Sequence, residues 1–99
     1  MIVVTGSVTA REDSLDEIRT LSLEHVHRSR KEPGCILHAV HVDCENPLRL
    51  VFIEQWADRA ALLIHFAVPA SRDFVRALQP LAAAGTTIEI YDATRLEKL

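Results

Sequence analysis

Residues 48–56 read LRLVFIEQW, and this stretch decides the fold because it is apolar on both of its faces. In an extended strand, alternate side chains point to the same side of the sheet. One face then carries Phe52 and Trp56, and the other carries Val51 and Ile53. A strand with one face in water would alternate apolar and polar residues more cleanly. The stretch therefore predicts a strand in a sheet that is covered on both faces.

Working outward from this strand, the sequence predicts the order strand, helix, strand, strand, helix or helices, strand. Segments rich in Val, Ile and Thr predict the strands, and apolar residues at helical spacing predict the helices. Pro33 with Gly34 ends the first helix, and the turn between the two middle strands is predicted at 45–47. The predicted strands are 2–9, 35–42, 48–56 and 86–93, and the predicted helices are 14–30, 58–66 and 71–81.

Polar residues are predicted to cap the N-terminal ends of the helices. Ser14 and Glu17 have the spacing of a capping box, in which each side chain accepts a hydrogen bond from the other residue's backbone N–H. Asp58 and Ser71 are residue types that accept such a bond at the start of a helix. The βαββαβ order predicts a ferredoxin-like α+β fold in a single domain, residues 1–99, with an antiparallel four-stranded sheet and the helices on one face.

The second apolar face of the sheet predicts a partner. A chain of 99 residues with this order of elements has helices for one face only. An exposed apolar sheet on a monomer would favour aggregation. Two copies packed sheet to sheet around a two-fold axis would cover both faces. The sequence therefore predicts a homodimer.

Composition and charge argue against several other classes of protein. The net charge of −3 and the lack of a basic patch argue against nucleic-acid binding. No apolar run is long enough to cross a bilayer, and the first residues lack the layout of a signal peptide, so we expect a cytoplasmic location without membrane attachment. Cys35 and Cys44 are separated along an extended segment and are not expected to form a disulfide. No nucleotide-binding or flavin-binding motif is present.

Several motifs resemble the antibiotic biosynthesis monooxygenase family. They are a Glu-Pro-Gly-Cys turn at 32–35, the Asn-Pro-x-Arg-Leu-Val stretch at 46–51, and a Glu-Gln-Trp-Ala-Asp strand end at 54–58 that leads to a helix with His65 and Phe66. The resemblance extends over nearly the whole chain and implies a dimeric α/β barrel. It also implies a cofactor-independent monooxygenase, whose partners are a quinol or another phenolic, polyketide-like aromatic and molecular oxygen. In such enzymes the electron-rich phenolate reduces oxygen itself.

His65, His38 and Trp56 are the candidate catalytic residues. His65 is a candidate base for a phenolic proton because imidazole titrates near neutral pH. His38 shares a strand face with Ile36 and Val40, and the resemblance implies that this face looks toward the helices and the same pocket. Trp56 can stack on a flat aromatic ligand. The structural alternatives are packed histidines and a tryptophan that anchors the core.

An apolar lining with one carboxylate is predicted around these residues. Such a lining suits an apolar ligand if a cavity lies between the sheet and the helices. The carboxylate of Glu54 needs a partner on an otherwise apolar face, and Arg72, Arg76 or a histidine can supply it. The candidate substrate-binding residues are Phe52, Glu54, Leu62, Phe66, Phe74 and Val75.

No metal site or other cofactor is predicted from the spacing of the histidines. His25 lies on the inner stripe of the first helix, where core packing is the favoured interpretation, and His41 falls on the opposite strand face from His38. Histidines two apart on a helix, or three apart on a strand, do not share a face. A metal site would need His38 and His65 to converge, together with Glu54.

The sequence is compatible with two other functions. Anthrone-type oxygenases of the family carry an asparagine, a tyrosine and an arginine where this chain has Phe52, Leu62 and Val75. That difference favours, as the first alternative, a non-catalytic dimer that binds a small aromatic ligand. A haem-binding or haem-degrading relative is the second alternative, although the ligand histidine of such proteins falls near Val75.

Overall fold

The computed structural model describes residues 1–99 and contains one four-stranded antiparallel sheet and three α-helices. The strands are β1 (Ile2–Thr9), β2 (Cys35–Asp43), β3 (Asn46–Trp56) and β4 (Thr87–Asp92), and the helices are α1 (Leu15–Ser29), α2 (Arg59–Ala67) and α3 (Pro69–Leu78). The strands lie side by side in the order β2-β3-β1-β4. The predicted ferredoxin-like α+β fold is confirmed, and its second helical region is divided into two helices.

The two faces of the sheet differ along β3, which pairs with both β1 and β2. Alternate positions on this strand are buried, namely Leu50, Phe52, Glu54 and Trp56. We call this face the helix side. The intervening Val51 and Ile53 are only half-buried. We call the opposite face the open face, and its apolar residues are Val3, Leu37, Ala39, Val51 and Ile53.

The core on the helix side consists of two apolar clusters. The larger cluster contains Val8, Ala10, Ile18, Val26, Leu50, Phe52 and Leu78. The smaller cluster contains Ile2, Val4, Trp56 and Leu62. Along β3, Glu54 stands between Phe52 of the first cluster and Trp56 of the second. A buried carboxylate therefore interrupts the core, and the candidate site lies around it.

The capping box predicted for α1 is wrong. Ser14 does occupy the N-cap position, but its side chain makes no capping hydrogen bond. Instead its Oγ accepts a hydrogen bond from the backbone N–H of Arg11 and donates one of 2.6 Å to the carbonyl of Leu81. The hydroxyl thus joins the start of α1 to the segment that follows α3.

The helix boundaries after β3 agree with the sequence only in part. Asp58 caps α2 as predicted, because its carboxylate accepts a hydrogen bond from the backbone N–H of Ala61. The start predicted for α3 at Ser71 is wrong, since this helix begins at Pro69. Proline is favoured in the first turn because the N–H that it lacks would have no partner there. The helix ends at Leu78, three residues before the predicted end.

The hairpin between β2 and β3 is tighter than predicted. The turn is formed by Cys44 and Glu45, and β3 already begins at Asn46, so the predicted turn at 45–47 is wrong. The carboxylate of Asp43 accepts a hydrogen bond from the backbone N–H of Glu45 and stabilises the turn. Both cysteines are free thiols, as the sequence predicts. No helix is both long and apolar enough to cross a membrane.

A glycine turn joins α1 to β2 and lies against α2. Gly34 has φ of 81°, a region that favours glycine, and a Cβ added there would lie 2.5 Å from the Cβ of Ala61. Its carbonyl accepts a hydrogen bond from the backbone N–H of Ala57. This close approach brings Glu32, two residues earlier, to the side of α2 that carries His65.

Candidate functional site

A cleft of about 520 Å³ opens on the helix side of the sheet. It is bounded by β1, β3, the three helices and the start of β4, and its volume is in the range typical of small-molecule sites. Seven of its 17 lining residues are hydrophobic, and the others include two histidines and a glutamate that lie close together. The hydrophobic lining residues include Phe52, Phe66, Phe74 and Val75. The histidines and the glutamate are His25, His65 and Glu54, and we call their position the polar end of the cleft.

His65 lies on α2 and is held in one orientation by a carboxylate. Its Nδ1 is 2.9 Å from Oε1 of Glu32. An ionised carboxylate only accepts hydrogen bonds, so Nδ1 carries the proton and donates it. In a neutral imidazole the lone pair is then on Nε2, which lies 3.8 Å from Oε1 of Glu54. The lone pair of His65 is thus directed toward the polar end of the cleft.

Glu54 is a buried carboxylate on β3 with several donors around it. Its Oε1 accepts a hydrogen bond of 2.9 Å from the indole N–H of Trp56 and lies 3.3 Å from Nε2 of His38. Burial by itself raises the pKa of Glu54, but the contacts with His38 and Trp56 and the nearby His65 outweigh it. The pKa is therefore below its ordinary value. Glu54 is an anion at neutral pH.

His25 enters the polar end of the cleft from α1. Its ring stacks on Phe74 with a centroid distance of 4.2 Å and an interplanar angle of 8°, and its Nδ1 is 2.9 Å from Nη2 of Arg28. Burial, together with repulsion from His38, His65 and Arg28, lowers the pKa of His25 to about 3. His25 is therefore neutral at physiological pH.

His38 lies behind Glu54, outside the lining of the cleft. The β2–β3 register places it opposite Glu54, and only 1% of the residue is exposed. Nδ1 of His38 has no partner, and the 3.3 Å contact between Nε2 and Oε1 of Glu54 does not meet hydrogen-bond geometry. The predicted strand face is right for Val40, but Ile36 lies beside a register shift between Cys35 and Leu37 and is exposed.

The rings of His25, His38 and His65 meet in one cluster. One nitrogen from each ring lies within 4.8 Å of the other two. The ring centroids are 5.2 Å apart for His25 and His38, 5.3 Å for His25 and His65, and 5.5 Å for His38 and His65. The three residues come from α1, β2 and α2, so their approach depends on the tertiary fold.

The structure places Trp56 and Leu62 behind the wall of the cleft rather than in it. Trp56 is 0% exposed and packs with Leu62 and Val4. Its ring centroid is 4.5 Å from that of His65, at an interplanar angle of 32°. Trp56 thus supports His65 and donates to Glu54, which is a different geometry from direct stacking on a ligand.

Sequence reasoning missed three features of the site. It used Glu32 only as part of a turn motif, although the turn places this carboxylate on His65. It favoured core packing for His25, which lines the cleft. It took Ser71 only as a helix cap, whereas the structure places this residue in the lining of the cleft, with a buried Oγ that has no hydrogen-bond partner. The Glu-Pro-Gly-Cys motif was the available signal for Glu32, and no local pattern indicated the role of Ser71.

The fold defines the chain as a ferredoxin-like α+β domain, and comparison with known proteins gives its family. The family model described as antibiotic biosynthesis monooxygenase matches residues 1–77. The chain therefore belongs to the antibiotic biosynthesis monooxygenase family, as its motifs suggest.

Similar proteins include both sequence relatives and solved structures. An uncharacterised protein of Synechocystis is 35% identical over 98 residues, which cover 99% of this chain and 67% of that protein. A crystal structure from Deinococcus radiodurans, named for the same family, superposes with a TM-score of 0.95 at 25% identity and covers 100% of this chain and 98% of that chain. A second crystal structure with the family name has a TM-score of 0.87 at 32% identity and covers 96% of this chain and 100% of that chain.

Proposed function

We propose that this chain is a monooxygenase that oxidises a small quinol or phenol with molecular oxygen and without an organic cofactor. The observation that carries the proposal is the hydrogen bond between Glu32 and His65. It leaves the Nε2 lone pair of His65 directed toward the polar end of a cleft that is also lined by three phenylalanines. A phenol bound in this cleft would present its hydroxyl to this nitrogen.

The proposed reaction begins with transfer of the phenolic proton to Nε2 of His65. Glu32 stabilises the imidazolium that forms, as a carboxylate does beside a catalytic histidine in hydrolases. The phenolate then donates electrons to oxygen, and one oxygen atom forms a bond to a ring carbon. Loss of the hydrogen on that carbon and cleavage of the O–O bond give a quinone and water. The substrate supplies all the electrons, so each O₂ yields one oxygen atom in the product and one in water.

Glu54 has a separate role in this proposal. Its negative charge lies 3.8 Å from Nε2 of His65 and favours the imidazolium after proton transfer. The indole N–H of Trp56 holds the carboxylate in place, and the buried His38 stands on its far side. Trp56 and His38 would therefore act as positioning residues, whereas His65 would contact the substrate.

The walls of the cleft support an aromatic substrate. Phe52, Phe66 and Phe74 line it, and Phe74 is backed by the stacked ring of His25. Aromatic rings bind one another through offset and edge-to-face contacts. Val75, Arg72 and Arg76 of α3 line the same cleft. Leu62 would influence the site only through the position of Trp56.

Oxygen uptake with menadiol, a naphthoquinol, tests the proposal. The protein is first stripped with EDTA, so that any activity is independent of added metal. We expect oxygen uptake faster than the spontaneous oxidation of menadiol. With labelled O₂, one labelled oxygen atom should enter the product. The amount of oxygen consumed per menadiol should be unchanged by catalase. Simple two-electron oxidation would instead release hydrogen peroxide, which catalase would return to oxygen. Uptake equal to the protein-free rate for every quinol and phenol tried would overturn the proposal.

A non-catalytic protein that binds small aromatics is the second candidate. It is favoured by the apolar Phe52, Leu62 and Val75 at the positions where anthrone-type oxygenases are polar. Saturable quenching of the Trp56 fluorescence by a phenol, with no oxygen uptake, would support this candidate. Haem binding has less support, because α3 places Val75 rather than a histidine near the expected ligand position.

We also propose that the open face forms a homodimer, which would complete the α/β barrel implied by the family. Val51 and Ile53 lie on that face next to Ala39 of β2 and Thr5 of β1. None of the three helices covers this side of the sheet, and its apolar residues are at least partly exposed. A second copy would bury these residues without any change in the helix side.

A further inference from the structure

We propose that His25, His38 and His65 together bind one divalent transition-metal ion, of which Zn²⁺ is the simplest example. The site goes beyond the proposed oxygenation, which needs the lone pair of a single imidazole and no metal. It is formed by side chains from three separate elements, and all three residues are buried. Imidazole nitrogens are favoured ligands for zinc, copper, iron and nickel.

The spacing of the rings fits a common metal. With metal–nitrogen bonds of about 2.1 Å and tetrahedral angles, the centroids of two ligating imidazoles are roughly 5.3 Å apart. The three observed centroid distances are 5.2, 5.3 and 5.5 Å. The nitrogens lie within 4.8 Å of one another, so small shifts of the side chains must bring them to the separation of about 3.4 Å that a tetrahedral site needs.

The second nitrogen of His65 already has the partner that a metal ligand requires. Metal-bound histidines usually donate their other N–H to a carboxylate or a carbonyl, which fixes the ring and raises its basicity. Glu32 accepts this bond from Nδ1 of His65 at 2.9 Å. The Nε2 atom is thereby left as a potential ligand.

His38 supplies an independent indication of a ligand. Its side chain is completely buried, Nδ1 has no partner, and Nε2 has only the 3.3 Å contact with Oε1 of Glu54, which does not meet hydrogen-bond geometry. A buried polar group without a partner is costly, so such groups are rare in folded proteins. A metal ion on one nitrogen of His38 would remove this deficit, and the adjacent Glu54 would keep the ring in place.

The charges around the three imidazoles favour a cation. The Oε1 atom of Glu54 lies 3.3 Å from Nε2 of His38 and 3.8 Å from Nε2 of His65, where it can provide the fourth ligand. Glu32 adds a second carboxylate behind His65. The cleft reaches His25, Glu54 and His65, which gives an ion a path from solvent.

Arg28 opposes metal binding and therefore offers a sharp test. Its guanidinium only donates hydrogen bonds, so Nδ1 of His25 accepts one, and the proton of the neutral ring is on Nε2. If the metal binds Nδ1, it takes the lone pair that now accepts the bond from Arg28. If the metal binds Nε2, the ring proton moves to Nδ1, which can then no longer accept that bond. In both cases Arg28 has to move away. Removal of the guanidinium should then strengthen metal binding.

The experiment uses the full chain, stripped with EDTA, and follows Co²⁺ by its visible ligand-field absorption and Zn²⁺ by calorimetry. We expect one ion per chain, with absorption typical of four-coordinate Co²⁺ and an increase of the melting temperature by Zn²⁺. His38→Leu should abolish binding, whereas His41→Leu, on the opposite face of the same strand, should leave it unchanged. Cys44→Ser should also leave it unchanged, which separates the site from the exposed thiol.

Two variants keep the test decisive if His38→Leu fails to fold. Arg28→Gln should bind Zn²⁺ several-fold more tightly than the wild type. Glu32→Gln should weaken binding by about 10-fold to 100-fold, as loss of an outer carboxylate does at other sites. Absence of binding by both the wild type and Arg28→Gln would overturn the proposal, as would equal binding by His38→Leu or loss of binding in His41→Leu. Because the oxygen-uptake assay is run in EDTA, its outcome is independent of this one.

Discussion

The two faces of β3 show how one strand can serve two purposes. On the helix side, Phe52 and Trp56 complete an apolar core, and Glu54 between them holds a charge within it. On the open face, Val51 and Ile53 alternate with those residues and have no cover from the helices. On the helix side the chain itself covers the central strands β1 and β3 and holds buried polar groups in fixed positions, whereas Ile88 and Ile90 of β4 stay exposed. The open face is apolar and unfinished, which suits it to association rather than to chemistry.

The largest loss of stability is expected at Leu50, on the helix side of β3. Leu50 is 1% exposed and belongs to the larger core cluster, so Leu50→Ala removes buried methyl groups and leaves a cavity. We expect the free energy of unfolding to fall by about 2–5 kcal/mol at all protein concentrations. Denaturant unfolding at two protein concentrations measures the size of this loss and shows whether it depends on concentration. A loss below about 1 kcal/mol would contradict the assignment of this face as the core.

A charged residue placed on the open face should instead weaken the self-association of the protein. In Ile53→Asp the carboxylate would be buried and unpaired in the proposed dimer, so we expect the dimer dissociation constant to rise by about 100-fold, or roughly 3 kcal/mol. Sedimentation velocity at micromolar concentration would detect the change. The control is Ile36→Asp, at an exposed position beside the irregular start of β2. A wild-type chain that sediments as a folded monomer would contradict the dimer.

Glu32→Gln tests the polar groups of the helix side without creating a cavity, because glutamine has nearly the same size as glutamate. The amide can no longer stabilise an imidazolium at His65, so kcat for oxygen uptake should fall by about 10-fold or more, with a smaller change in KM. Glu45→Gln, on the exposed hairpin turn, is the matched control and should match the wild type. Equal kcat values for the two variants would show that Glu32 only supports the turn.

The smallest effect is expected at Ser71, a residue of the cleft wall whose buried hydroxyl has no hydrogen-bond partner. Ser71→Ala removes a buried polar atom that makes no hydrogen bond, so the free energy of unfolding should change by less than about 1 kcal/mol. Fluorescence titration should at the same time show a several-fold weaker affinity for phenols that accept a bond from this hydroxyl. Unchanged affinity for all of them would place Ser71 outside the ligand contacts.

The contrast between the faces could be predicted from the sequence, whereas the site could be predicted only in part. The alternation in 48–56 was enough to assign Phe52 and Val51 to opposite faces, because strand geometry is local. The hairpin then places His38 next to Glu54. The approach of His25 to that pair depends on how α1 rotates against the sheet, and no periodicity in the sequence reports that rotation.

The positions of Glu32 and Trp56 also could not be predicted from local sequence patterns. Glu32 reaches His65 across 33 residues because Gly34 lets the turn lie against Ala61, which a local reading of the turn does not reveal. The sequence leaves two interpretations of Trp56, a wall for an aromatic ligand and an anchor of the core. The structure buries it with Leu62, where its N–H reaches Glu54. Both placements follow from packing between elements rather than from any residue pattern.

The most direct test of the account is the rate of oxygen uptake with menadiol in EDTA for His65→Gln, compared with His27→Gln. His27 lies on α1 with its side chain exposed, so its replacement controls for the loss of a histidine. We expect His65→Gln to lose about 10²- to 10⁴-fold in kcat, the usual contribution of a general base, while His27→Gln keeps the wild-type rate. Wild-type oxygen uptake in folded His65→Gln would contradict the role of this imidazole.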